Sequence, residues 1–231
     1  MKKVAIFVEG QTEQIFVKQL IHQWYGYQNI QVAEEKIRGK SLFLRLREID
    51  SSYEYYFQII DVGSDESVTS AIRDNAKDML ATGYAKIIGL RDLYPTPRTK
   101  KNKVLEYAQK ILSEFNCPTK LKVLLAIMEI EAWFLGDPGL FQKIDKRLTP
   151  EHIKQELEYD LEHADSEIAY DHPAKVIEKI YELAGKKYGK HESDAYQIAH
   201  RLDYDYLCLE AKERQKIPSF SLFLSEITEL D

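Results

Sequence analysis

The sequence predicts an α/β fold: a mainly parallel sheet flanked by helices, with a C-terminal helical appendage. Short β-branched and aromatic runs alternate with stretches of helical period up to residue 128. Strand-helix alternation at this spacing requires crossovers, which are right-handed and cover both faces of the sheet. Beyond residue 129 the strand signal stops while helical spacing continues.

Taken in order, residues 4–8 form an apolar run stopped by Gly10, a buried strand. Val17, Leu20, Ile21 and Trp24 then recur at i, i+3, i+4, i+7, one face of a helix. A second strand is expected over 30–37, a helix over 41–49, and a third strand over 55–62. Val68, Ala71, Ile72 and Met79 mark a helix closed by Gly83. Residues 86–90 are a fourth strand running into Asp92; Val104, Ala108, Ile111, Leu112 and Phe115 mark the next helix; 121–128 is a fifth strand. In the last third, Val176, Ile177, Ile180, Tyr181 and Ala184 keep helical spacing between Pro173 and Gly185. Further helices are expected near 192–202, 205–215 and 219–229. The division is therefore residues 1–137 for the α/β domain and 138–231 for the helical appendage. No Gly/Ser linker separates them, so the appendage is expected to pack on the sheet.

Composition narrows the class. The 231 residues (27.0 kDa) are long enough to bury a sizeable core, and 44% hydrophobic with 30% charged residues is a globular balance. Two cysteines, Cys117 and Cys208, are too few for a disulfide framework and point to a reducing compartment. Apolar runs fall short of the roughly 18 residues of a membrane span, and the run behind Met1-Lys2-Lys3 ends too soon for an export signal. The expectation is a cytoplasmic protein without membrane association.

The net charge is −6, but it is unevenly spread. Residues 151–172 carry eight acids against the single cation Lys154, leaving the rest of the chain close to neutral. Two basic stretches, 96–103 and 185–191, stand in that remainder. Such runs are ordinarily solvated faces. Local patches rather than net charge set the field a polyanion meets, so nucleic acid stays a possible substrate.

Acids occur where strands end, the edge at which open parallel sheets carry their working groups. Glu9, Asp61, Asp92 and Glu129 end the first, third, fourth and fifth strands, with Glu13 and Glu131 close behind. Carboxylates about 4 Å apart repel by ~4 kcal/mol at an effective dielectric of 20. A cluster must therefore raise a pKa, recruit Lys or Arg, or bind a cation. Hard oxygen donors without paired His or Cys favour Mg²⁺ or Mn²⁺, whose open positions suit phosphodiester hydrolysis.

Two motifs are tightest. In Val8-Glu9-Gly10-Gln11-Thr12-Glu13, Gly10 permits a sharp turn, Thr12 is the expected N-cap and Glu13 lies in the first helical turn. In Met128-Glu129-Ile130-Glu131-Ala132-Trp133, strand geometry would face Glu129 and Glu131 the same way. A helix starting at Glu129 would instead set them about 200° apart, with one able to ligate.

These residues, with the strand-end Asp92 followed by Tyr94-Pro95, resemble the Toprim-like domain-of-unknown-function family 4276. The resemblance is carried by residues 4–137, with weaker cues at 172–175 and 218–220. It implies a Toprim/Rossmann-like sheet in a bacterial protein of defence-type loci, often encoded beside an ATPase. It also implies that Glu9 matches the first-strand Toprim glutamate and Asp92 part of the Asp-x-Asp metal motif. The chain departs from that motif, because Gly89-Leu90-Arg91-Asp92-Leu93-Tyr94 lacks the second acid; Glu129, Glu131 or Asp61 would have to replace it.

The leading expectation is a Mg²⁺-dependent (or Mn²⁺-dependent) phosphodiesterase or nuclease acting on DNA or RNA. Glu9, Asp92 and Glu129 would hold metal, with Glu13, Glu131 or Asp61 assisting. Arg98, Lys100, Lys101 and Lys103 would contact phosphates, Arg91 would neutralise developing charge, and Lys175 is a further contact. The alternative is a catalytically degenerate module that serves as partner or sensor of an ATPase. A phosphate-loop reading of Arg38-Gly39-Lys40-Ser41 lacks the required upstream glycine.

Overall fold

A computed structural model describes residues 1–37, 49–63, 65–214 and 216–230. The expected helix over 41–49 and the Arg38-Gly39-Lys40-Ser41 segment lie outside the described residues, apart from Ile49, which is irregular. The elements run β1 (Lys2–Val8), α1 (Gln11–Tyr25), β2 (Ile30–Lys36), β3 (Tyr55–Asp61), α2 (Asp65–Ala81), β4 (Tyr84–Asp92), α3 (Lys101–Leu112) and β5 (Leu121–Ala126). Helices follow: α4 (Glu131–Phe134), α5 (Leu140–Ile144), α6 (Pro150–Leu157), α7 (Ser166–Ala169), α8 (Pro173–Leu183), α9 (Glu192–Ala199), α10 (Tyr204–Leu209) and α11 (Pro218–Thr228). The sheet is all-parallel, in the order β2-β3-β1-β4-β5. The α/β class and the helical C-terminal half thus stand as expected.

The chain divides into two compact units. One comprises Met1–Arg91, Thr99–Leu125 and Ser225–Asp231; the other comprises Asp92–Arg98 and Ala126–Leu224.

In the first unit β1 is the central strand, and Val4 to Val8 are fully buried, which is why it reads as an unbroken apolar run. Val8 pairs in register with Asp61 of β3 and Leu90 of β4, aligning the carboxyl ends of the three middle strands. Gly89 is required by packing: a Cβ there would lie 2.7 Å from both Ile72 Cδ1 and Val68 Cγ1, so α2 sits directly on the β4 backbone. On α1, Ile15, Phe16, Val17, Leu20 and Ile21 are buried, whereas Trp24, expected on that face, is 40% exposed. Tyr25 takes its place, with its ring 4.7 Å from Tyr55 and 5.2 Å from Phe57 and its hydroxyl donating to the Ile227 carbonyl at 2.7 Å. The N-cap of α1 is Gly10 rather than Thr12, because the helix begins at Gln11 and Thr12 already lies in its first turn. Lys86 of β4 donates to the carbonyls of Glu226 (3.0 Å) and Glu229 (2.6 Å), satisfying the C-terminal end of α11.

In the second unit, Trp133 of α4 packs 5.2 Å from Phe220 and 5.6 Å from Phe223. Its indole N–H donates to Ser219 Oγ at 2.8 Å, and Ser219 Oγ donates to the buried Glu167 at 2.6 Å. The short helices are capped from the sequence: Thr149 accepts from His152 N before Pro150, Asp165 caps α7, and Asp203 caps α10. Part of the acidic 151–172 segment is consumed internally. Asp160 pairs with Lys154 at 2.6 Å, Asp165 caps, Glu167 is buried and Asp171 pairs with Arg98.

Candidate functional site

The second unit gathers three of the expected acids around one lysine. Asp92, the last residue of β4, is 8% exposed, and its Oδ1 accepts from the Ile130 backbone N–H at 2.9 Å. That bond fixes the turn between β5 and α4, which carries Glu129 and Glu131 on either side of Ile130. Tyr94 N–H donates to the Met128 carbonyl at 2.7 Å, and Met128 adopts a left-handed φ of 65°, rare for a side chain of its size. β5 ends at Ala126 and α4 starts at Glu131, so Glu129 lies on neither element. Neither geometry expected from the sequence therefore applies: the turn lets both carboxylates reach one point.

That point is Lys190 Nζ, 3.0 Å from Glu129 Oε1 and 3.1 Å from Glu131 Oε1. Glu129 is 7% exposed, and its second oxygen accepts from Ala174 N–H at 2.9 Å, a donor at the N-terminus of α8. Glu131 is fully buried; its Oε1 also accepts from Tyr188 OH at 2.8 Å, and its Oε2 is buried without a hydrogen-bond partner among the described residues. Burial alone would depress the Lys190 ammonium, but Glu131, Glu129 and Asp92 outweigh it and hold the lysine charged well above its ordinary pKa. For Tyr188 burial and the Glu131 carboxylate act together and push the phenol far up, so it remains a donor.

The loop carrying Lys190 is pinned by Asp194, whose Oδ2 accepts from Gly189 N (2.9 Å) and His191 N (3.2 Å). Lys190 itself adopts φ 55°. Glu129, Tyr188 and Lys190 line a cavity of about 400 Å³ together with Tyr94, His172 and Lys175. Tyr94 and His172 meet edge to face, with ring centroids 5.0 Å apart, and Lys175 is paired with Glu178.

The remaining expected residues are placed as follows. Glu9 directly follows β1 and Glu13 is buried in the first turn of α1; both belong to the first unit. Asp61 is 2% exposed and engaged, pairing with Lys36 Nζ at 2.8 Å and accepting from Gly63 N at 2.8 Å. Arg91 is half-buried on β4. Arg98 braces the second unit, donating to the carbonyls of Glu167 (2.7 Å) and Tyr170 (2.6 Å) and pairing with Asp171. Lys100, Lys101 and Lys103 lie at the start of α3 in the first unit, with Lys100 and Lys103 exposed. Within either unit, no group of three or more His, Cys, Asp or Glu side chains among the described residues is close enough to hold a metal ion. Lys190 and Tyr188 were visible beforehand only as members of a basic stretch, and nothing in their spacing separates Lys190 from Lys186 or Lys187.

The sequence profile of a domain of unknown function, DUF4276, matches residues 8–227. The chain belongs to this family. The match extends beyond residue 137 as far as residue 227, so the Lys190 loop and α8 are part of the DUF4276 domain. No curated protein and no solved structure matches the chain.

Proposed function

We propose that the chain is a Mg²⁺-dependent or Mn²⁺-dependent phosphodiesterase of Toprim type acting on DNA or RNA, from a bacterial defence setting. The observation that supports this reading is the convergence of Glu129 and Glu131 on a single cation beside a cavity lined by second-unit residues. The donor chemistry fits a hard divalent ion, since Mg²⁺ is commonly held by one or two carboxylates with water and substrate phosphate completing its shell. The buried, hydrogen-bond-free Oε2 of Glu131 is an acceptor still lacking a partner, as such an ion would require. Glu129 and Glu131 would hold the metal, which when bound polarises the phosphodiester and acidifies water.

The protein's own groups supply the rest. Asp92 fixes the turn and adds negative potential, and Ala174 N–H orients Glu129. Lys175, on the cavity wall and paired with Glu178, would meet a phosphate, and the edge-to-face Tyr94–His172 pair would offer a ring surface to a base. Glu9, in the first unit, is the acid the Toprim resemblance adds. The deciding experiment incubates purified protein with plasmid, single-stranded DNA and RNA in Mn²⁺ or EDTA, alongside Glu129→Gln, Asp92→Asn and Glu9→Gln. The expected result is metal-dependent cleavage reduced at least a hundredfold by Glu129→Gln; cleavage unchanged in all three variants would remove the assignment.

One observation favours a second reading, a degenerate module acting as partner or sensor of an ATPase encoded alongside. Lys190 already neutralises the acid pair, and both Glu129 oxygens are in use. Absence of cleavage in every metal, together with a stable complex with that ATPase, would select it.

A further inference from the structure

We propose that Lys190 is a displaceable internal cation: its ammonium neutralises Glu129 and Glu131 in the metal-free protein and gives way when a divalent ion binds that pair. This rests on the divalent-metal reading above and adds how the site is held before loading. Charge balance is the first argument. One ammonium against two carboxylates leaves a net negative charge in a site where Glu131 is fully buried and Glu129 nearly so, whereas a divalent ion would neutralise both. The unsatisfied Glu131 Oε2 shows that the ammonium does not complete the acceptors of the carboxylate it touches. Mobility is the second argument. The Lys190 side chain is 43% exposed, so its flexible stem gives the ammonium a route to water, while Asp194 anchors the backbone beneath it. The acids are held from other directions, Glu129 by Ala174 N–H and Glu131 by Tyr188 OH, so they stay in place when the lysine leaves.

The test uses the full chain and does not depend on catalysis. Mn²⁺ titration calorimetry on the wild type and Lys190→Met should show binding at least tenfold tighter in the variant. The variant should also melt lower than wild type in EDTA and regain that loss in Mn²⁺. Should Lys190→Met fold poorly, wild-type protein carries the test: amine acylation read by peptide mass spectrometry should label Lys190 slowly in EDTA and several-fold faster in saturating Mn²⁺. Equal or weaker Mn²⁺ binding by Lys190→Met, or Lys190 labelling unaffected by Mn²⁺ in wild type that binds it, overturns displacement while leaving the metal site standing. If calorimetry detects no Mn²⁺ with either protein, the metal reading falls and the displacement proposal with it.

Discussion

At Glu131 the energetic stake rests on a few atoms. A fully buried carboxylate is tolerated because Tyr188 and Lys190 both reach one of its oxygens. Tyr188→Phe removes a hydrogen bond to a charged, buried acceptor without changing the ring, so it should cost about 1–3 kcal/mol. Urea unfolding checks it, and a loss below a few tenths would mean that water replaces the phenol freely. Two of the non-glycine residues at positive φ bear on the same ion pair: Met128 precedes Glu129, and Lys190 is its partner. Backbone of that kind persists where surroundings over-determine it, here the Tyr94–Met128 hydrogen bond and the Asp194 clamp.

Among the secondary-structure elements, α11 shows how a helix end is tied to a sheet. Lys86 and Lys122, from β4 and β5, both reach Glu226, at 3.2 and 2.5 Å. Burial pushes the Glu226 carboxyl up, but its hydrogen bonds to the two lysines outweigh that and hold it below the usual glutamate range. A carboxyl depressed in the folded state adds stability above its unfolded pKa of about 4.3, and that stability is lost as pH falls through the folded value. Glu226→Gln should therefore lower the melting temperature at pH 7 and flatten its decline between about pH 5 and 3. Parallel acid limbs in the two proteins would show that the ion pairs contribute nothing.

For the whole molecule, a net charge of −6 sets the terms on which a polyanion could be bound. Attraction has to be local, and the exposed Lys100 and Lys103 at the start of α3 are the candidates in the first unit. If nucleic acid binds there, Lys100→Ala and Lys103→Ala should each flatten the slope of log affinity against log salt by about one. Fluorescence anisotropy at several salt concentrations reads this, and unchanged slopes would move the contact elsewhere. Among the described residues, no helix is long and apolar enough to cross a membrane.

Much of this was written locally. The apolar run at 4–8, the period change at Gly10 and the alternation up to Ala126 decide a parallel α/β sheet, since buried strands and amphipathic helices advertise themselves through neighbours in sequence. The strand-end acids Asp61 and Asp92 were legible for the same reason, and so were the helix boundaries at Pro173 and Gly185, whereas Glu129 lies three residues beyond the end of β5. The short helices α4 to α7, of four to eight residues, were not, because so few turns carry little hydrophobic repeat; α6 and α7 are held by caps, and α4 and α5 by burial of Trp133 and Phe141. Tertiary structure alone decided which charges meet. It gave Asp61 to Lys36 and Arg98 to Asp171, and it brought Lys190, about sixty residues from Glu129, onto the acid pair. Coulomb attraction and desolvation act through space and depend on distance and burial, and neither quantity is carried by the order of residues along the chain.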